Sequence, residues 1–222
     1  MHNRKPLVSV IMPVFNAAET IIEAIDSVRN QSFDNWELIV VDDCSSDETA
    51  ELVTKVANSE DRIILIRRNR PSGSPAQPRN EAISAARGRY IAFLDADDKW
   101  DGHKLGSQIK FMQKHNAVLS CTGYRVVNNY GDILGEFMPP LTQNYRGMLR
   151  LNTIGCLTAM YDSVGLGKRY FKRIGHEDYA LWLSIIREGY YAYGLQDVCA
   201  TYRISKGSVS SNKIKSLVYY WN

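Results

Sequence analysis

Three carboxylates within four residues are the densest chemical feature of the sequence. Asp95, Asp97 and Asp98 directly follow the apolar segment Tyr90 to Leu94. Because like charges this close repel one another, the group favours a bound counter-ion. Hard oxygen donors suit Mg²⁺ or Mn²⁺, which proteins commonly hold with one or two carboxylates and the phosphates of a substrate. The pattern predicts a divalent-cation site for a phosphate-bearing substrate; a solvated acidic turn is the alternative.

A second acidic pair, Glu177 and Asp178, begins a segment whose apolar residues recur at helical spacing. Carboxylates at the start of a helix complement the helix dipole, which would by itself account for both residues. The flanking His176 and the aromatic Tyr179 and Trp182 are instead typical of the wall of a sugar-binding cleft. The residues alone leave both interpretations open.

Four arginines lie shortly before the first acidic group: Arg67, Arg68, Arg70 and Arg79. A guanidinium can bind a diphosphate through two parallel hydrogen bonds. Arg79 is therefore a candidate for binding the phosphates of the substrate, although an arginine-rich loop is as often a solvated surface.

Composition limits the functions that these residues can serve. The 222 residues are 45% hydrophobic, so the chain can bury its own core, and one domain over residues 1–222 is predicted. A formal net charge of +3 is too small to indicate a nucleic-acid partner. The cysteines form no Cys-x-x-Cys pair, which argues against a zinc knuckle or a disulfide framework and favours reduced thiols in a cytosol: Cys44, Cys121, Cys156 and Cys199.

The sequence favours a cytoplasmic protein that is soluble or peripheral at the inner face of the cell membrane. The apolar run Leu7 to Val14 lacks the length and cleavage site of a signal peptide, and no segment approaches the ~20 apolar residues of a membrane span. Lys213, Lys215 and the apolar Leu217 to Trp221 are consistent with an amphipathic helix on an anionic membrane, or equally with a packed terminal helix. Because the pattern stops at Asn222 without a helix-ending signal, truncation of the chain is also expected.

Alternating strand and helix patterns position the candidate residues. Continuous β-branched runs predict strands at Leu7 to Val14, Trp36 to Val41, Ile63 to Ile66 and Tyr90 to Leu94. Apolar residues at helical spacing predict helices between the strands, at 17–31, after 45–48 and up to residue 86. This alternation predicts an α/β fold with right-handed βαβ units, an open, mostly parallel twisted sheet and helices on both faces.

Ser45 and Glu48 have the spacing of a capping box, which predicts a helix start at residue 45. After Trp100 the pattern becomes mixed, with a helix at 104–115, a strand at 118–127 and a turn at 128–131. In an open α/β sheet, ligands bind beyond the carboxyl ends of the strands, so the segments 13–16, 42–43, 70–80 and 95–98 are expected to converge on one site.

Five motifs in this order resemble the inverting family 2 glycosyltransferases of GT-A fold. They are Val8 to Asn16, Val40 to Asp47, Gly88 to Asp98, Glu177 to Leu183, and Tyr202-Arg203. The likeness extends from about Leu7 to Ser211. It implies transfer of a hexosyl or N-acetylhexosaminyl group from a nucleotide-diphosphate donor, usually a UDP-sugar, to an acceptor hydroxyl with inversion. An acceptor that is a saccharide or lipid-linked saccharide of cell-surface polysaccharide or glycolipid biosynthesis is expected.

The resemblance also implies roles for individual residues. Pro13 and Phe15 would line the nucleoside site, and Asp43 would bind the base. Asp95 would approach the ribose, and Asp97 would ligate Mn²⁺ or Mg²⁺.

By the same resemblance, Asp178 would be the general base that takes the proton of the acceptor hydroxyl. Tyr202 to Ser211 would form a flexible loop that closes over donor and acceptor. Residues 1–100 would then bind the nucleotide sugar, and residues 101–222 the acceptor.

Two features depart from the family pattern. Cys44 stands where glycine is usual, and the segment Arg70 to Pro78 is unusually rich in proline, which weakens the assignment of Arg79. A sugar nucleotidyltransferase is an alternative, but it would carry a glycine-rich, basic loop after the first strand, which Val14 to Ala18 is not. A catalytically silent nucleotide-binding module is disfavoured by the presence of both Asp97 and Asp178.

Overall fold

The computed structural model of the protein describes residues 5–204. Within that range ten strands form one sheet. In chain order the strands are β1 (Val8–Val14), β2 (Trp36–Asp42), β3 (Ile63–Arg67), β4 (Tyr90–Phe93), β5 (Lys99–Trp100), β6 (Leu119–Val127), β7 (Ile133–Phe137), β8 (Thr142–Gln143), β9 (Met160–Asp162) and β10 (Ala192–Arg203). The helices are α1 (Ile21–Arg29), α2 (Thr49–Ala57), α3 (Ala76–Ala85), α4 (Lys104–His115), α5 (Tyr145–Arg150), α6 (Ser163–Leu166) and α7 (Glu177–Arg187), and a 3-10 turn covers Cys156–Thr158.

The sheet has the strand order β3-β2-β1-β4-β9-β6-β10-β5, with β7 beside β6 and β8 beside β10. β1 runs parallel to β2 and β4, and β2 runs parallel to β3, so the carboxyl ends of these four strands lie at the same edge. β6 and β10 form a second parallel pair, and β9 lies between β4 and β6, antiparallel to both. The predicted open, mostly parallel α/β sheet is confirmed.

Apolar residues of the sheet pack against helices on both of its faces. Because side chains alternate along a strand, Val10 and Met12 of β1 pack in one cluster and Ile11 in the other. The first cluster contains residues of α1, α2 and α4, and the second contains residues of α3 and α7. This arrangement holds the strand ends rigidly, which suits a site built at the sheet edge.

The first half follows the sequence prediction closely. Each of the first four strands is found within one residue of the predicted bounds, and α4 has the predicted bounds. The first helix was predicted over 17–31 and covers Ile21–Arg29 instead, because residues 17–20 form a turn bonded to the segment before α2.

The predicted capping box at Ser45 and Glu48 is wrong. α2 begins at Thr49, with Glu48 at the N-cap position and no side-chain hydrogen bond that caps the helix. The Ser45 hydroxyl instead accepts a hydrogen bond from the backbone amide of Asn16, at 2.9 Å. Tertiary contact with the segment after β1 therefore replaces local capping.

The second half contains the irregular part of the sheet. β10 runs parallel to β6 along most of its twelve residues, but the register shifts between Leu195 and Ala200, as at a β-bulge. The sequence pattern did not indicate this long strand, since its exposed and buried residues do not alternate regularly.

Three expectations concern membranes, cysteines and the terminal segment. No helix among residues 5–204 is long and apolar enough to cross a bilayer. All four cysteines are free thiols, as expected, and only Cys44 is exposed.

Of the predicted loop Tyr202 to Ser211, Tyr202 and Arg203 belong to β10. The residues from 205 on, including the predicted amphipathic segment with Lys213, lie outside the described part of the chain.

Candidate active site

A cleft of about 760 Å³ opens at the carboxyl edge of the parallel strands. Its walls come from the segment after β1, the end of β2, the proline-rich loop before α3 and the acidic segment after β4. The cleft is lined by six residues that the sequence singled out: Pro13, Phe15, Asp43, Arg79, Asp95 and Asp97. Segments that are distant in sequence therefore meet at the carboxyl ends of the strands, as expected.

Hydrogen bonds to the segment before α2 and to the first residue of α2 shape the wall that follows β1. Asn16 has φ of 48°, in the left-handed region, and its backbone amide donates to Ser45. The amide of Ala17 donates to Thr49 Oγ1 at 2.8 Å, and the amide of Ala18 donates to Asp47 at 3.1 Å. These bonds keep Phe15 at the cleft with 56% of its surface exposed, which leaves its ring available to a planar ligand.

Asp43 is buried at the end of β2 and lies against the proline-rich loop. It accepts hydrogen bonds from the Ser72 amide, at 2.9 and 3.0 Å, and from the Ser72 hydroxyl, at 2.6 Å. Its other partner is the guanidinium of Arg68. The loop that departs from the family pattern thus forms a wall of the cleft, and Asp43 fixes its position.

Cys44, the second departure, has a physical explanation in the backbone. Its φ is 68°, in the left-handed region that side-chain-bearing residues rarely adopt. Glycine adopts this conformation without steric cost, which explains why glycine is usual at the position. The turn from β2 into the cleft therefore carries backbone strain in this chain.

Arg79 connects two carboxylates that are 82 residues apart. Its Nη2 donates to Asp95 at 2.6 Å and its Nη1 donates to Glu177 at 2.7 Å. The guanidinium is almost completely buried, and among the described residues its Nε has no hydrogen-bond partner. The charges of Asp95 and Glu177 raise its pKa against the opposing effect of burial. Both terminal nitrogens of Arg79 already contact carboxylates. This geometry differs from the contact with a diphosphate that the sequence predicted.

The acidic segment after β4 divides into residues with different environments. Burial, and secondarily the charge of Asp95, raise the pKa of Asp97, which lines the cleft. Asp98 is buried and does not line the cleft, and burial together with Asp97 and Asp95 raises its pKa well above the usual range. The backbone amide of Arg203 donates to Asp98 at 3.0 Å. Carboxylate oxygens that repel one another at the cleft are a donor set that fits a hard divalent cation.

Asp178 lies at the start of α7, beyond Arg79, and is not among the residues that line the cleft. It accepts a hydrogen bond from the Tyr179 amide at 2.8 Å. Burial raises the pKa of its carboxyl, with smaller contributions from Glu177 and Asp95, and Arg79 opposes them. The two acidic groups recognised in the sequence are thus close enough to influence each other electrostatically, joined by Arg79.

Several contributors to the site gave no distinct signal in the sequence. Nothing in the sequence pairs Ser72, or Arg68 of the four arginines named above, with Asp43, which both residues contact in the structure. The pairing of Glu177 with Arg79 spans 98 residues, and that of Arg203 with Asp98 spans 105. Burying an arginine without a carboxylate partner costs free energy. The burial of Arg79 would therefore have pointed to a partner such as Glu177, but the sequence does not show which residues are buried.

Comparison with known proteins decides the family. Residues 9–174 match the family model described as "Glycosyl transferase family 2". The chain belongs to glycosyltransferase family 2. The resemblance inferred from the five motifs is therefore confirmed, and the chain is a member of an enzyme family that transfers sugars.

Relatives of this glycosyltransferase align over nearly their whole length. It is 40% identical over 223 residues to the putative teichuronic acid biosynthesis glycosyltransferase TuaG of Bacillus subtilis (strain 168), covering 100% of this chain and 88% of that protein. It is 42% identical over 217 residues to the UDP-Glc:alpha-D-GlcNAc-diphosphoundecaprenol beta-1,3-glucosyltransferase WfgD of Escherichia coli, covering 97% of this chain and 84% of that protein.

Solved structures share the fold of this glycosyltransferase. TarS of S. aureus in complex with UDP-GlcNAc gives a TM-score of 0.76 at 23% identity, covering 96% of this chain and 65% of that one. The mannosyltransferase PcManGT of Pyrobaculum calidifontis, in complex with GDP-Man and Mn²⁺, gives 0.70 at 22% identity, covering 96% and 61%. The chain thus spans less than two thirds of these solved chains. The likeness confirms the GT-A fold.

Proposed function

We propose that this glycosyltransferase transfers a sugar, with inversion, from a nucleoside-diphosphate donor to a hydroxyl of a saccharide or lipid-linked saccharide. The observation that carries the proposal is the placement of Asp97 in the cleft, with Asp178 connected to the same acidic group through Glu177, Arg79 and Asp95. Asp97 would then hold the cation that stabilises the leaving group, and Asp178 would take the proton of the nucleophile.

The nucleoside would occupy the part of the cleft between Pro13, Phe15 and Asp43. Phe15 offers an exposed ring on which a base can stack. Asp43 can accept from a base N–H, although this requires the Ser72 bonds to lengthen or share their acceptor. Names of the relatives favour UDP: WfgD is a UDP-Glc transferase, and TarS was solved with UDP-GlcNAc.

Asp97, with Asp95 beside it, is the group that would hold Mn²⁺ or Mg²⁺. A bound divalent cation supplies electrostatic stabilisation of the negative charge that develops on the leaving diphosphate. Burial, and secondarily the charge of Asp95, raise the pKa of Asp97, so a cation bound beside this carboxylate would be favourable. Asp95, fixed by Arg79, would contact the ribose.

Asp178 would act as the general base on the acceptor hydroxyl. Its raised pKa brings the carboxylate closer to the working pH, which makes it a better proton acceptor. Attack by the hydroxyl oxygen on the face opposite the leaving diphosphate forms the new bond as the old one breaks, so the configuration inverts. The hydroxyl proton moves to Asp178, and no bond to the enzyme forms.

Arg79 would be a positioning residue. Its bonds to Asp95 and Glu177 fix the start of α7 relative to the acidic segment after β4, so the distance between the donor and Asp178 is set by one buried side chain. This role follows from the contacts of both terminal nitrogens with carboxylates, and the direct diphosphate contact expected from the sequence stays a prediction.

The acceptor would be a precursor of a cell-surface polysaccharide or glycolipid. TuaG is named for teichuronic acid biosynthesis, and WfgD for a diphosphoundecaprenol-linked sugar acceptor. Such precursors present their sugar at a membrane surface, which favours a cytoplasmic enzyme with peripheral contact at the inner face of the membrane. Residues after about 100 would recognise this acceptor.

The decisive experiment is thermal unfolding with a panel of nucleotide sugars, each with Mn²⁺, with Mg²⁺ or with EDTA. We expect one UDP-sugar with a divalent cation to raise the melting temperature, because binding at 100 times Kd adds about 2.7 kcal/mol of stability. Asp97→Asn should lose the cation-dependent part of the shift. Asp61→Asn, at an exposed position near the amino end of β3, is the matched control and should retain it. Stabilisation by no donor, or a shift unaffected by Asp97→Asn, would contradict the proposal.

A further inference from the structure

Three metal-ligating side chains meet on β10, away from the cleft. His103 precedes α4, and Asp197 and Cys199 belong to β10. His103 Nε2 lies 3.0 Å from Asp197 Oδ2 and 3.6 Å from Cys199 Sγ. One potential ligand atom from each residue lies within 4.8 Å of the other two. None of these three residues lines the cleft of the proposed transferase reaction.

The local backbone explains why the three groups converge. Asp197 and Cys199 lie where β10 departs from regular pairing with β6. The register shifts of β10 fall between Leu195 and Ala200, and such an irregularity redirects side chains. The amide of Asp101 donates to the Cys199 carbonyl at 2.9 Å, which holds the segment that carries His103 against the strand.

The geometry does not suit a nucleophilic relay. In a relay of acid, imidazole and thiol, the two ring nitrogens contact different partners, so that one orients the ring and the other moves the proton. Here the same nitrogen, Nε2, faces both Asp197 and Cys199. Three potential ligand atoms within 4.8 Å of one another can instead surround a single cation.

The distance between sulfur and nitrogen suits a tetrahedral ion of zinc type, whereas His103 Nε2 and Asp197 Oδ2, at 3.0 Å, are at hydrogen-bond distance and would separate to about 3.3–3.4 Å around such an ion. Bonds of about 2.3 Å to sulfur and about 2.0–2.1 Å to nitrogen, at tetrahedral angles, place sulfur and nitrogen about 3.5–3.6 Å apart. The observed separation of Cys199 Sγ and His103 Nε2 is 3.6 Å. A thiolate and an imidazole also prefer borderline or soft ions to Mg²⁺ or Mn²⁺, which separates this site chemically from the acidic segment after β4.

We propose that His103, Asp197 and Cys199 bind a zinc-type divalent cation, with water at the fourth position. The side chains of His103 and Asp197 are each 46% exposed, whereas Cys199 is fully buried, so an ion has an open approach and a buried soft ligand behind it. Coordination releases the thiol proton to solvent. Because burial raises the pKa of Cys199 to about 12, the ion competes with a proton, and the site should bind more weakly than a four-ligand structural site.

The bound ion would connect β10 to the segment between β5 and α4. β5 begins one residue after Asp98, and β10 ends at Arg203, whose amide donates to Asp98. Coordination would therefore stabilise the attachment of β10 next to the acidic segment without contacting the substrate. The expected effect is on the stability of the folded protein rather than on the transfer step.

Cobalt(II) is the probe, because a thiolate bound to cobalt gives a charge-transfer absorption in the near ultraviolet that carboxylate ligands do not give. We expect this band to reach its maximum when the purified protein has bound one equivalent of cobalt. Added zinc should abolish the band, because zinc displaces the cobalt. Cys199→Ser and His103→Gln should weaken or remove the band. Cys121→Ser, a buried cysteine of β6, and His115→Gln, a histidine on α4, are the matched controls and should retain it.

Thermal unfolding provides a second measurement. Zinc should raise the melting temperature of the wild-type protein and of Asp97→Asn, but not of His103→Gln. Since His103 is exposed, this variant should fold even if Cys199→Ser does not. Absence of the cobalt band, or a band that persists in His103→Gln, would overturn the proposal. Because Asp97→Asn leaves these signals intact, failure here is distinguishable from failure of the proposed transferase site.

Discussion

Carboxylates at the amino edge of the parallel strands have an environment opposite to that of the acidic residues after β4 and at the start of α7. At the amino edge, Glu37 accepts from Ser9 Oγ at 2.6 Å and from the Arg87 amide at 2.7 Å, and Asp162 accepts two bonds from Arg89. At the carboxyl edge, burial raises the pKa of three carboxyl groups, and the charges of neighbouring carboxylates add to the effect: Asp97, Asp98 and Asp178.

The contrast distinguishes residues that stabilise the fold from residues that bind a ligand. A carboxylate with matched donors adds to stability, as hydrogen bonds to charged groups do. A buried carboxylate whose neighbours are also acidic lowers stability, and a protein retains such a cluster where a cationic or proton-donating ligand completes it. The same residue type thus serves the fold at one edge and the reaction at the other.

The largest effect is expected from the carboxyl edge. Asp178→Asn keeps the hydrogen bond from the Tyr179 amide but removes the basic oxygen, so kcat should fall about 10²–10⁴-fold. Steady-state release of the nucleoside diphosphate, with the donor found by thermal screening, measures the loss, and donor binding should persist. Glu188→Gln, at the exposed far end of α7, is the control and should keep the wild-type rate. A wild-type rate for Asp178→Asn would show that another group takes the proton.

The next largest effect tests the amino edge. Glu37→Ala leaves the buried Ser9 hydroxyl and the Arg87 amide without their acceptor, which should lower the free energy of unfolding by about 3 kcal/mol. Urea denaturation followed by circular dichroism measures the change. Glu51→Ala, on the exposed face of α2, should change stability by less than about 0.5 kcal/mol. Equal values for the two variants would remove the stabilising half of the comparison.

A smaller effect of opposite sign is expected for Asp98→Asn in EDTA. Because the folded state raises the pKa of Asp98, it binds the proton more tightly than the unfolded chain, and stability falls as pH rises above the usual aspartate range through the raised pKa. The amide variant avoids this loss and still accepts from Arg203. Asp98→Asn should therefore be more stable than wild type at pH 8, with the advantage disappearing in acid. Urea titrations from pH 4 to pH 8 would contradict this if the difference stayed constant.

The smallest effect concerns strain at the carboxyl edge. Cys44→Gly relieves the left-handed backbone conformation, but glycine adds entropy to the unfolded chain, so a net gain of about 0.5 kcal/mol is expected. Cys44→Ala keeps the strain and should show no gain. Thermal denaturation under reducing conditions compares the two, and equal melting temperatures would show that the turn is not strained by its side chain.

Local patterns predicted the first half of the fold well. β1, β2 and β4 are largely continuous apolar runs, and their burial on both faces follows from that composition, whereas β3 at the end of the sheet is mostly half-buried. The capping box failed because Ser45 can bond either its own helix or the neighbouring Asn16 amide, and only the tertiary structure decides between them. The short strands β5, β8 and β9 are two or three residues long, too short for a periodic signal.

The sequence predicted the residue types of the candidate site better than the contacts between those residues. Asp97 and Asp43 follow strands, so their place at the cleft follows from the strand-end rule. The partners of Arg79 depended on how α7 packs, which brings Glu177 to a guanidinium far away in sequence. Arginine near acidic residues is consistent with phosphate binding or with an ion pair, and burial, a property of the folded chain, distinguishes the two.

The hydrogen bond from Arg203 to Asp98 also has a consequence for biosynthesis. The two residues are 105 positions apart. At about 5–20 residues per second, the ribosome therefore adds Arg203 roughly 5–20 s after Asp98. During this interval β1 to β4 can form, whereas the side of β6 that β10 later covers stays unpaired. An open strand edge promotes aggregation, so the nascent enzyme is most vulnerable just before its last described strand emerges.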